Sequence, residues 1–143
     1  MPVCWRKLLV TMIGIDTNLV IRYVTGESPR ARTIIDGQPV FLAVTAVLEA
    51  EWVLRSVYGY SSADVARALR AFGGLPTVTI EDGGIVAEAL DRAENGMDFA
   101  DALHLGRSAQ CDNFVTFDKK LVKVASAAGI SAVREARPRT MRS

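Results

Sequence analysis

The sequence is short of the features that mark the most easily recognised protein classes. Only two cysteines, Cys4 and Cys111, occur in 143 residues. Their wide separation excludes a disulfide framework and any zinc-type cysteine spacing. His104 is the one histidine, so no pair of imidazoles is available to share a metal. No apolar run approaches the 18 or more residues of a membrane span. The stretch from Trp5 to Ile15 is too short for a secretory signal, lacks a small-residue cleavage site and is closed by Asp16. Internal repeats, low-complexity tracts and Pro/Ser-rich linkers are absent. An excess of one charge sign is missing too: 17 basic and 16 acidic residues leave a net charge of +1. Global charge therefore points neither to a polyanion binder nor to an enzyme for acidic substrates.

What is present is the raw material of one globular domain, with half the residues hydrophobic and 23% charged, and with the cytoplasm as the expected compartment. Strand-like and helical segments alternate. Met12 to Ile15 reads as a buried strand, and Asp16-Thr17-Asn18 offers cap residues for a helix from about Leu19 to Val24, closed by Gly26. A short basic segment follows. Val40-Phe41-Leu42 is strand-like, and Thr45 is placed to cap a long helix through Glu49, Trp52 and Leu54 to about Tyr58, with Gly59 as its stop. Ser61 to Asp64 opens a helix carrying Val65, Leu69 and Phe72, and Gly73-Gly74 ends it. Thr77 to Ile80 is a β-branched strand, 84–94 an amphipathic helix, and Asp98 starts a helix over Phe99 to Ala109. Phe114 to Phe117 is a fourth strand, Asp118 begins a helix to about Ala127, and Gly129 to Ala132 is a short last strand. Helix-connected strands of this kind favour a mostly parallel sheet of four to five strands covered by helices on both faces. Residues 1–11 read as an N-terminal extension, 12–133 as the domain, and 134–143, with Arg134, Arg137, Arg139 and Arg142, as an Arg-rich tail.

The acids are the informative residues. Asp16 and Asp118 each follow a strand directly, and Asp98 and Asp101 open a helix. In open α/β sheets, ligands bind at the carboxyl ends of strands. Carboxylates gathered there repel one another and raise their own pKa values unless a cation neutralises them, and hard oxygen ligands select Mg²⁺ or Mn²⁺. Taken singly, each such Asp reads equally as a helix N-cap. Glu49 is expected to be partly buried in mid-helix, at a cost, with Glu51 facing the opposite way. Asp98 and Asp101, three apart, share one helical face.

Four strings, Ile13-Gly14-Ile15-Asp16-Thr17-Asn18, Thr45-Ala46-Val47-Leu48-Glu49-Ala50-Glu51-Trp52-Val53-Leu54, Asp98-Phe99-Ala100-Asp101-Ala102-Leu103 and Phe114-Val115-Thr116-Phe117-Asp118-Lys119, resemble in order and spacing the PIN-domain toxins of the VapC type. The resemblance covers about residues 12–133. It implies a three-layer α/β/α PIN-like fold and a metal-dependent ribonuclease, the toxin of a VapBC-type toxin–antitoxin module. By motif position Asp16, Glu49 and Asp101 match the central metal-binding acids, Asp118 the more variable fourth, and Asp98 a fifth candidate. All four of the first group are candidate catalytic residues. Asn18 and Thr116 match supporting polar positions. The resemblance further implies Mg²⁺ or Mn²⁺ as cofactor, RNA cut to a 5′ phosphate and a 3′ hydroxyl, a VapB-type antitoxin partner, as also in FitB-like nucleases, and a homodimer through helices around 45–72.

The chemistry agrees with these residue types, because a carboxylate-held cation activates water and stabilises charge on phosphate without a protein nucleophile. Three other readings compete. A Mg²⁺-dependent phosphatase of the haloacid-dehalogenase kind wants a second Asp where Asn18 stands. A phosphorylated receiver domain wants paired acids before its first helix and a late strand ending in Lys. A catalytically silent PIN-like binding module would not need a complete acid set. His104, Ser56, Ser61 and Ser62 read as helix-surface or helix-end residues. Trp52, Tyr58 and Phe72 read as core or dimer-contact aromatics, and Arg22, Arg55, Lys119 and Lys120 as solvated cations able to meet phosphate.

Overall fold

Strand β1 (Ile13–Ile15) runs straight into Asp16, which caps helix α1 (Thr17–Thr25). The structure is a computed structural model and describes residues 11–136. Gly26 closes α1 in the left-handed conformation, φ 75°, where a side chain would be strained. Helix α2 (Pro29–Gly37) comes next and occupies the short basic segment to which the sequence pattern assigns no element. Its start is a helix signal that composition alone obscures. Ser28 caps the helix by accepting a hydrogen bond from Ala31 N, and Pro29 sits at the first position, where its missing N–H costs nothing.

Strand β2 (Val40–Leu42) lies between β1 and β3 (Val78–Ile80), both neighbours parallel, with Ile13 opposite Val40 and Val40 opposite Val78. Val40 and Leu42 are fully buried, as the central strand of a parallel sheet requires. Between β2 and β3 the chain forms α3 (Val44–Ser56) and α4 (Ser62–Gly73). Helix α1 packs against α2, α3 and α4. Val20, Ile35, Val47, Leu54, Leu69 and Phe72 fill the space they enclose. Tyr23 meets the edge of Phe72 at 5.5 Å between ring centroids and donates to Asp36, which ties three helices together.

Helix α5 (Gly83–Glu94), α6 (Phe99–Arg107), β4 (Phe114–Thr116), α7 (Lys119–Ala127) and β5 (Val133–Glu135) complete the described chain. β4 and β5 pair in parallel and pack against α7. The described residues divide into two compact units, the second beginning at Ile85. The second has its own core of Val86, Leu90, Phe99, Leu103, Leu121 and Val133. Gly106 of α6 lies so close to Ile85 that a Cβ there would stand 2.7 Å from the Ile85 Cγ2, so α6 and α5 pack at a glycine contact.

The described residues are thus mixed α/β with only parallel strand pairs, as the alternation predicts. Hydrogen bonding groups the five strands as three and two. The last strand lies at 133–135 rather than 129–132, because Gly129, at φ 80°, still belongs to the turn that ends α7. Arg134 is therefore a strand residue, paired opposite Val115. The expected N-terminal extension before Thr11 and the arginines at 137, 139 and 142 lie outside the described residues. Among the described residues, no helix is long and apolar enough to cross a membrane, and Cys111 is an exposed free thiol.

Candidate metal site and its carboxylates

Three of the candidate acids are helix N-caps. Asp16 Oδ1 accepts from Leu19 N at 3.1 Å, Asp98 Oδ2 from Asp101 N at 3.2 Å, and Asp118 Oδ1 from Lys120 N at 2.9 Å and Leu121 N at 3.2 Å. Each sits at the N-terminal end of a helix, among backbone N–H groups that have no partner within the helix. In each case the backbone holds one carboxylate oxygen and the other remains available as a ligand. Thr116 contributes by accepting from Asp118 N at 3.0 Å through its hydroxyl, so it shapes the turn rather than touching the carboxylate. Asn18 is exposed on the first turn of α1.

Within the first unit, Asp16 stands at the carboxyl end of β1, and Glu49 approaches from α3. Thr17, the first residue of α1, donates through Oγ1 to Glu49 Oε1 at 2.5 Å. The burial expected of Glu49 falls instead on Glu51. Glu49 is exposed, whereas Glu51 is only 5% exposed and pairs with Arg55, Nε to Oε2 at 2.9 Å. The cause is helical spacing: Val47, Ala50, Glu51 and Leu54 form the core face of α3, and Glu49 lies off it. Thr45 is not the cap of α3. The helix begins one residue earlier, Ala43 at its N-cap offers no side-chain acceptor, and Glu81, just past β3, supplies one by accepting from Val44 N at 2.8 Å. Thr17 and Glu81 were not singled out from the sequence. The apolar residue in front of α3 was the available signal that its N-terminus must find a distant acceptor.

Within the second unit, Asp98, Asp101 and Asp118 line a cleft of about 250 Å³, with Lys120 on its rim and Met97 and Leu121 among its walls. Burial raises the pKa of Asp101, and the charges of Asp98 and Asp118 raise it further, with His104 opposing them. The structure thus brings Asp98, Asp101 and Asp118 into one electrostatic neighbourhood. His104 is exposed. Among the described residues, no three carboxylate, imidazole or thiol groups are gathered tightly enough to hold an ion as they stand. The donor chemistry nonetheless fits Mg²⁺ or Mn²⁺: hard oxygens, one of them on a carboxyl destabilised as an anion by burial and then by its like-charged neighbours.

No family model matches the chain, and no curated protein matches it. A solved structure that it resembles is the Mycobacterium tuberculosis toxin VapC20, described as cleaving the sarcin–ricin loop. That match has 21% identity, covers 88% of this chain and 99% of that one, and has a TM-score of 0.35.

Proposed function

We propose that the protein is a metal-dependent ribonuclease, the toxin of a VapBC-type module, acting in the cytoplasm with Asp16, Glu49, Asp98, Asp101 and Asp118 as the acids that hold Mg²⁺ or Mn²⁺. The four ordered motifs support this reading. The observation that carries it is the cleft lined together by Asp98, Asp101 and Asp118, where burial and the charges of the other two lift the Asp101 carboxyl. Helix capping accounts for Asp98 and Asp118 but gives no reason for three carboxylates to line one cleft, whereas a cation would offset their repulsion. When bound, the cation supplies water activation and charge stabilisation at phosphorus.

The chain's own residues do the rest. N-capping fixes one oxygen of Asp16, Asp98 and Asp118, so their free oxygens are presented in set directions. Lys120, on the cleft rim, meets the phosphate backbone of the RNA. Asn18 in place of a second Asp disfavours the phosphatase reading. Trp52, 55% exposed, and Val57 leave apolar surface in the 45–72 region proposed for a homodimer, and a VapB-type antitoxin is the proposed physiological inhibitor.

The test is cleavage of total RNA by purified, antitoxin-free protein with Mg²⁺ or Mn²⁺, beside an EDTA control and Asp101→Asn. Discrete cutting that both controls abolish is the expected result. Intact messenger, transfer and ribosomal RNA, from a folded wild type that binds Mn²⁺, would instead identify a silent binding module.

A further inference from the structure

We propose that Thr17 is a positioning residue for Glu49, locking one carboxylate oxygen so that the other faces the cation; the inference rests on the metal-nuclease reading above. Threonine hydroxyls inside helices ordinarily bond back to the carbonyl four residues earlier. Thr25 does so to Ile21 O at 2.8 Å and Thr33 to Pro29 O at 3.1 Å. Thr17 opens α1, so the residue four before it lies in β1 and offers no helical carbonyl. Its hydroxyl is thereby released to reach across to α3.

There it has two acceptors, Glu49 Oε1 at 2.5 Å and Ala46 O at 3.4 Å. A hydroxyl has one proton, and the short contact to a carboxylate takes it, giving a charge-assisted bond. Glu49 needs this restraint because it lies exposed, off the core face of α3, on a side chain with several rotatable bonds. No hydrogen bond among the described residues engages its Oε2. Asp16 immediately precedes Thr17 and is held by the same first turn through Leu19 N. One turn of α1 therefore sets the direction of two ligand carboxylates, one directly and one through a hydroxyl.

Thr17→Val keeps the branched shape and removes the hydroxyl, and Thr17→Ser restores it. The readout is Mn²⁺ affinity of metal-stripped protein by calorimetry or electron paramagnetic resonance, beside the melting temperature and kcat against KM. T17V is expected to bind Mn²⁺ about tenfold more weakly, the low end for loss of a group that orients a metal ligand. Its melting temperature should stay near wild type, kcat should fall more than KM rises, and T17S should recover most of the affinity. T17V that binds Mn²⁺ as wild type does, or T17S as weak as T17V, would overturn the assignment. A wild type with no Mn²⁺ affinity would overturn the metal reading itself, and the inference with it. Should T17V fail to fold, Thr17→Ala serves the same comparison.

Discussion

Burial and the charges of Asp98 and Asp118 hold the Asp101 carboxyl above the usual carboxylate range. The folded protein therefore binds this proton more tightly than the unfolded chain does. Asp101 then destabilises the metal-free fold above its folded pKa, and the penalty is relieved as pH falls through that value towards the unfolded one. Asp101→Asn removes the charge and keeps the shape. We expect it to raise the melting temperature of metal-free protein at neutral pH, to lose that advantage as pH is lowered, and to lose cleavage. A thermal-shift series across pH checks this, and a variant less stable than wild type at neutral pH would contradict it. The helix-capping positions of Asp16, Asp98 and Asp118 were legible in the sequence, because each follows a strand or opens a helix. Their partners were less so. Thr17 reaches Glu49 across 32 residues, and a contact between helices leaves no local signature. The reversal between Glu49 and Glu51 was readable, since the spacing of Val47, Ala50 and Leu54 already assigns the core face to Glu51.

At the scale of elements, local chemistry explains most boundaries. Asp16, Ser28, Ser61, Asp98 and Asp118 all cap helices with their side chains. Helix α3 has no such cap of its own. It carries Glu49, and its N-terminal N–H is satisfied by Glu81 from beyond β3. Asp82 follows in the left-handed conformation at φ 52°, a strained turn for a residue with a side chain. Loss of this cap through Glu81→Ala should cost about 1 kcal/mol of stability. Glu81→Gln keeps an oxygen acceptor and should recover most of it, as chemical denaturation of the two variants would show. Equal losses in both would mean that the carboxylate acts by charge rather than as an acceptor. Helix α2 escaped the sequence reading because its basic, polar composition outweighed the Ser28-Pro29 start, and β5 was misplaced by the extra turn at Gly129.

For the molecule as a whole, the parallel α/β class followed from alternating periodicities, which report how each element buries one face. Those periodicities do not say which elements share a core. The two compact units and the grouping of strands as three and two are set by contacts among residues distant in sequence. The proposed function rests on the candidate acids, Asp16, Glu49, Asp98, Asp101 and Asp118, being ligands of a cation. Titration of Mn²⁺ into metal-stripped wild type, Asp16→Asn and Asp101→Asn tests that claim most directly. The account predicts one binding event in the wild type and its loss in each variant alone. Undiminished binding by either variant would contradict it, because the replaced acid would then not be a ligand.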